Sequence, residues 1–468
     1  MVTKYHRLIL IIIIIIALLV RFWNFPSFFG FDYDQEINAW IAKAIIVDHK
    51  PVLIGPETSV GGMYVGPYFN YIITLGFLLG RMDPMTTIWL NLIFSGLTIG
   101  AFFYFGSKIF SPLAGLFAAI IYGFSFLMVN FDRILWNLTP LPLVSLGIVG
   151  FLWIYLQKKK FYFLLITSAL TALSLHLHFT ALFLVAFFTL SLAIWGRRPL
   201  WADKRSLLII IATFAFFLLP LVIFDLRHDF INSRHFGQFF FTGTGNNTPL
   251  SMASIWRIMS IYIGFFRAVF YRQLDFSLLT NTIMATLLFG FIAYVLVNFK
   301  KSALIYKLVL VFFAIPLFGL SFYHGALPSQ YFLPELSLFI LVAAAVLASL
   351  AKKSLAFKVL VGISLTLFAL YNSSQAWGDT NNLALHYKQQ AVDMIVADAA
   401  GQSFKVDFIT DRGLKTGFNY LFWLRGEKLI EDMSLPTKRT YKIVVPYYLV
   451  APRELSAIYG AVGVIKSD

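Results

Sequence analysis

Apolar runs close to the length that crosses a bilayer recur along this chain, and that repetition restricts the fold more than any motif does. A helix needs roughly 20 predominantly apolar residues to span the hydrocarbon core. Such runs cover residues 8–22, 85–105, 112–130, 139–156, 206–224, 278–298, 304–323, 331–350 and 357–371. The stretch from Phe161 to Trp195 is too long for one span and predicts a helical hairpin broken near His176 to Thr180, giving about eleven spans in all. The expected fold class is a polytopic α-helical membrane protein. Composition agrees: 59% of the 468 residues are hydrophobic and 13% charged, whereas soluble domains are about a quarter charged.

Orientation follows from the basic residues, because cytoplasmic loops accumulate Lys and Arg. One assignment places Lys4 and Arg7, Lys108, Lys158 to Lys160, Arg197 to Arg205, Lys300 to Lys307 and Lys352 to Lys358 on one side, with Asp203 as the sole acid. That side is read as cytoplasmic, in a plasma-membrane protein whose N-terminus is inside. The net charge of +15 is then explained by topology and by contact with anionic membrane lipids, with no nucleic-acid partner. The absence of cysteine excludes disulfides, thiolate catalysis and cysteine-ligated metals. No signal-peptidase site follows the first run, where Arg21 and Phe22 succeed Val20, so it reads as a retained anchor.

Three segments fall outside under this topology: a first loop over 23–84, a loop over 225–277, and the tail. The chain divides into a transmembrane module over 1–372 and an extracytoplasmic α/β domain over 373–468. In that domain a helical pattern (383–399) alternates with strand-like runs (404–410, 441–446, 461–465). In the first loop Ile37, Trp40, Ile41, Ala44 and Ile45 repeat at helical spacing, predicting an interfacial amphipathic helix. A second apolar helix of roughly 13 residues follows a loop rich in Pro and Gly and is short for a span, hence re-entrant or interfacial.

The acids Asp32, Asp34 and Glu36 fall within five residues at the start of the amphipathic helix. Asp34 suits an N-cap, yet capping does not require three carboxylates. The functional alternative is a general base that takes a proton from an acceptor hydroxyl as a sugar carbon is attacked. Asp32-Tyr33-Asp34 also has the D-x-D form that holds a divalent cation, magnesium or manganese, against a phosphate. Beyond the loop, NFDRILWNLTPLP places Arg133 and Asn137 at the outer end of a span; Arg offers a bidentate fork for phosphate, or a snorkelling anchor. His176 and His178 sit at the hairpin turn as packing residues or substrate contacts. FDLRHDFINSRHF adds Arg227 and His228, either a solvated patch or a phosphate site. No P-loop, dinucleotide fingerprint or H-E-x-x-H zinc motif occurs, and the spans lack the midplane charge of ion-coupled carriers.

These segments resemble the GT-C glycosyltransferases, specifically bacterial relatives of the protein O-mannosyltransferases and the lipid A aminoarabinose transferase (glycosyltransferase family 39-like). The likeness rests on DQEINA from Asp34, LIGPETSVGGMYVGPYFNY from Leu53, RILWN from Arg133, LHLHFTA from Leu175 and FDLRHDFINSR from Phe224. It implies a polyprenyl-phosphate sugar donor reached from the outer leaflet and inverting transfer to an acceptor hydroxyl, with Asp34 as the base. Gln35 stands where Glu is commoner, and Gln330 stands where Arg often precedes Tyr331. The substrate-binding set implied is Asp32, Glu36, Arg133, Asn137, His176, His178, Arg227, His228 and Tyr331. Phosphate is already a competent leaving group, so positive clamping serves without a required cofactor. The acceptor, whether glycan, lipid or protein, is open. The competing readings are a non-catalytic lipid-glycan transporter or scaffold, and a polysaccharide ligase or polymerase.

Overall fold

A computed structural model describes residues 2–58, 61–196, 203–238, 251–272, 297, 303–323, 325, 327–411, 413–427 and 439–467. The expected span 278–298, apart from Val297, and the basic residues Arg197, Arg198, Lys300 and Lys301 lie outside the described residues.

The membrane module begins with α1 (Lys4–Phe22), the loop helix α2 (Tyr33–Ile46) and the short α3 (Tyr68–Leu79). Then come α4 (Ile88–Ile109), α5 (Pro112–Phe124), α6 (Phe126–Arg133), α7 (Leu141–Lys158) and the hairpin α8 (Phe161–Ser174) and α9 (Ala181–Trp195). The described remainder is α10 (Lys204–Arg227), α11 (Ile231–Gly237), α12 (Met252–Phe270), α13 (Leu304–Leu320), α14 (Leu333–Ala351) and α15 (Leu355–Gly378). Seven of the described helical segments are long and apolar enough to cross a membrane, eight if α5 and α6 count as one bent span, and four more apolar helices are shorter. α3, at 12 residues, reaches only about 18 Å.

Three features depart from the sequence reading. First, α12 is a span-length helix inside what reads as an outer loop; Arg257 and Arg267 dilute its hydropathy. Second, the run over 112–130 breaks at Ser125, where α5 and α6 meet at 62°. The freed Phe126 N–H donates to Asn372 Oδ1 (3.0 Å), Asn372 Nδ2 donates to Phe270 O (3.2 Å), and Ser125 Oγ donates to Val269 O (2.7 Å). Broken helices persist in lipid when neighbours satisfy the backbone in this way. Third, α15 continues past residue 372 to Gly378, because the polar residues that lower its hydropathy, Asn372 and Ser373, are buried against the bundle.

α4 and α5 cross closely at paired glycines: a Cβ on Gly106 would lie 2.8 Å from Gly115 Cα. Small residues of this kind let membrane helices approach backbone to backbone.

The C-terminal domain holds α16 (Leu385–Ala399), α17 (Phe418–Leu424) and a four-stranded sheet in the order β1-β2-β4-β3. Strands β1 (Phe404–Thr410) and β2 (Arg439–Val445) are parallel; β4 (Val462–Ser467) is antiparallel to β2 and to β3 (Ala457–Tyr459). The domain docks on the first loop. Leu385 N donates to Phe29 O (2.7 Å), Asn381 N to Ser27 O (3.0 Å), and Tyr420 Oη to Met82 O (2.8 Å). It therefore lies on the same side as the loop that follows α1.

Candidate active site at the first loop

The loop helix α2 buries a face that hydropathy does not pick out. Gln35, Asn38, Ala39 and Ala42 are buried, while Ile37, Ile41, Ala44 and Ile45 are half-exposed. The inward contacts are polar: Gln35 Nε2 donates to Leu135 O (3.0 Å) and Asn70 Nδ2 to Asn38 Oδ1 (2.8 Å). The apolar stripe stays half-exposed, and Trp40 within it packs on Tyr420 and Trp423.

Asp32, not Asp34, is the N-cap. Its backbone is extended (φ −109°, ψ −157°), and its N–H donates to Gln35 Oε1 at 3.1 Å. Gln or Glu at this third helical position closes a capping box, which is the place for Gln35. Asp32 Oδ1 also pairs with Lys388 Nζ at 2.9 Å. Glu36 accepts the Gly417 N–H (2.6 Å) and the Tyr420 N–H (3.1 Å). Both acids are thus engaged by the C-terminal domain, Asp32 with its side chain still half exposed. In the D-x-D pair one oxygen of the first carboxylate is held by Lys388, and among the described residues no three His, Asp or Glu side chains converge as a metal site.

Asp34 remains. It sits in the first turn of α2, open to solvent, and has no hydrogen bond or ion pair among the described residues. Partial desolvation by the surrounding protein, and secondly the Asp32 carboxylate, raise its pKa. A carboxylate that is accessible, unpaired and more basic than usual is suited to accept a proton.

Arg133 is placed differently from expectation. Its side chain is 1% exposed, with Nε donating to Arg21 O (3.1 Å), Nη1 to Ala376 O (3.2 Å) and Nη2 to Val20 O (2.7 Å) and Trp23 O (3.4 Å). Helix C-termini leave carbonyls without partners and carry negative partial charge. Arg133 closes the ends of α1 and α15 together, and its fork is spent before any phosphate can reach it. Beside it Arg21 and Asp132 form a buried pair at 2.8 Å.

The remaining candidates lie in several loops and helix ends, from the turn after α6 to the end of α10. Asn137 Nδ2 donates to Leu177 O, tying the turn after α6 to the α8–α9 turn. His176 is buried, its ring 4.5 Å from that of Tyr68, and only glycine fits at position 66 because a Cβ there would lie 1.5 Å from His176 Nδ1. Its ring packs against Tyr68 and the 53–67 loop. His178 is half-buried, its Nδ1 2.8 Å from Thr180 Oγ1 and its ring 5.0 Å from that of the buried Tyr331. Beyond α10, Asn232 bridges Tyr64 N (2.8 Å) and Tyr64 O (3.3 Å), and its own N–H donates to Asp225 Oδ1 (2.8 Å). That clamp brings the end of α10 to the 53–67 loop. Arg227 there is exposed with no partner among the described residues, and His228 stacks on Phe224 at 4.2 Å with Nδ1 2.8 Å from Phe224 O.

Lys388 is missing from the residues that sequence reasoning selects. It had a signal: a lysine on the same helical stripe as Leu385, Val392 and Ile395, all buried.

Comparison with protein-family models and with curated proteins finds no match. Among solved structures, the chain is similar to ArnT from Cupriavidus metallidurans bound to undecaprenyl phosphate, at 12% identity and TM-score 0.63 over 97% of each chain. The apo state of that protein aligns over the same shares at TM-score 0.61. The apo oligosaccharyltransferase of Archaeoglobus fulgidus aligns with 90% of this chain and 64% of its own, at 13% identity and TM-score 0.52. The chain shares its fold with these solved structures over most of its length.

Proposed function

We propose that this protein is a membrane glycosyltransferase that moves a sugar from a polyprenyl-phosphate carrier to an acceptor hydroxyl with inversion. The observation that carries the reading is Asp34: of the three clustered acids it alone is free of protein partners among the described residues, and it is accessible. The ArnT structure with undecaprenyl phosphate, whose fold this chain shares over nearly its whole length, supports a lipid-phosphate donor.

Asp34 accepts the acceptor's hydroxyl proton as that oxygen attacks the anomeric carbon. The bond from the anomeric carbon to the phosphate oxygen breaks on the opposite face, and polyprenyl phosphate leaves with the electron pair. Arg227, exposed and unpaired among the described residues, takes the phosphate role that Arg133 cannot fill, and a guanidinium suits it geometrically.

The test incubates purified protein with a radiolabelled polyprenyl-phosphate hexose and follows release of polyprenyl phosphate. Asp34→Asn should lower turnover by about 10²–10⁴-fold, the usual worth of a positioned base, with the thermal midpoint unmoved. Near-normal turnover by that variant removes Asp34 from the mechanism. No release by the wild type across donors favours a transporter or scaffold.

A further inference from the structure

We propose that Lys388 and Glu36 make the C-terminal domain a working part of the catalytic centre, as positioning residues that fix Asp34 and hold down the negative charge beside it. This rests on Asp34 as the base.

The acids two positions before and two after Asp34 are each bound by the C-terminal domain. Lys388 is 1% exposed, and its ammonium donates three times: to Phe31 O (2.7 Å), Asp32 Oδ1 (2.9 Å) and Thr416 O (3.0 Å). An ammonium has three hydrogens, so the group is saturated. On the other flank Glu36 takes two backbone N–H groups, from Gly417 and Tyr420. Gly417 has φ +93°, and a Cβ there would lie 2.5 Å from Phe31 O, so the peptide reaches Glu36 only because the residue is glycine. The first turn of α2 is gripped on both sides with Asp34 left uncovered between them.

Mere docking does not call for a buried lysine. Burying an ammonium is costly unless it is paired, and apolar contacts such as Trp40 with Tyr420 would hold the domain. What the lysine adds is charge compensation. Asp32 is the charged neighbour that acts on Asp34, Lys388 is the cation set against Asp32, and Glu36 turns away to the two N–H groups. Without Lys388 the Asp32 charge acts on Asp34 uncompensated and raises its pKa. Without the Asp32 charge the effect reverses.

The experiment measures kcat and KM against pH for the full-length wild type, Lys388→Met, Asp32→Asn and Asp34→Asn, with a polyprenyl-phosphate hexose as donor. A base must be deprotonated, so activity falls on the acid side. Lys388→Met is expected to move that acid limb to higher pH and to lower kcat about ten- to a hundredfold through misplacement of the base, with donor KM little changed. Asp32→Asn keeps an equally good N-cap and is expected to move the limb to lower pH. A purely structural clasp would shift neither limb, or both the same way, and that result overturns the proposal. Should Lys388→Met fail to fold, Asp32→Asn decides alone: an unmoved limb overturns the proposal. An active Asp34→Asn fails the base reading itself and takes this inference with it, whereas an inactive Asp34→Asn with unmoved limbs fails only the inference.

Discussion

Replacing Arg133 with alanine separates a scaffold role from a phosphate role. Three of its four carbonyl contacts, to Val20, Arg21 and Ala376, lie at 3.2 Å or less, and the fourth, to Trp23 at 3.4 Å, is too long to weigh much. A hydrogen bond to a charged group contributes about 1.5–3 kcal/mol, so three give an upper bound of roughly 5–9 kcal/mol. Val20 and Arg21 stand in the last turn of α1, whose end can relax and recover part of what is lost. The net cost should then be about 3–5 kcal/mol, in the range seen when a buried charged partner is removed. Such a loss lowers the folded-to-unfolded ratio by at least a hundredfold, each tenfold step corresponding to about 1.4 kcal/mol. Arg133→Lys keeps the charge but not the planar fork, and should recover about half. The assay is thermal and denaturant unfolding in detergent, run beside donor kinetics on whatever protein folds. A variant that unfolds like the wild type while its donor KM alone rises would refute this assignment and return Arg133 to the substrate.

Two further outcomes follow from the geometry. Gly66→Ala should force His176 out of its packing against the 53–67 loop and cost about 1–3 kcal/mol, typical of overpacking; adding His176→Ala should restore part of that stability, and no rescue would count against the contact. In the C-terminal domain, Asp398 accepts from Lys466 first and from Tyr441, which with Arg439 pull its pKa down to about 2. A carboxylate depressed in the fold stabilises it above its unfolded pKa of about 3.9 and loses that contribution as pH falls toward 2. Asp398→Asn should therefore flatten the acid dependence of hydrogen-exchange protection in β2 and β4 between pH 4 and 2; an unchanged slope would place the acid sensitivity elsewhere.

Most of the described spans, the hairpin with its turn near His176, and the helix and strands of the tail were legible because bilayer thickness and strand alternation write themselves into short windows of sequence, whereas α12 was not. Asp34 was legible as one of three acids, and its singling out needed the resemblance. What could not be read is whatever depends on a partner far along the chain. Asp32 and Glu36 look like ligands until Lys388 and Gly417 come beside them, and Arg133 looks available until the ends of α1 and α15 close over it. The buried face of α2 inverted for a related reason: its polar residues turn inward to find partners, so the face with Asn38 and Gln35, not the isoleucines, meets protein. The α5–α6 break was hidden because Ser125 gives no sign of it until Asn372 supplies the missing acceptor.

The clasp between α2 and the C-terminal domain also sets an order of events during synthesis. Asp32 and Lys388 are 356 residues apart, and Glu36 and Tyr420 are 384. Synthesis runs at about 5–20 residues per second, so the first loop waits roughly 20 to 80 seconds outside the ribosome before its grip can form. Through that interval Asp34 sits on an unheld helix turn, and the protein has its membrane body without a finished centre. A chain stopped before residue 388 would lack the clasp, so on the function proposed above the centre is completed only late in synthesis.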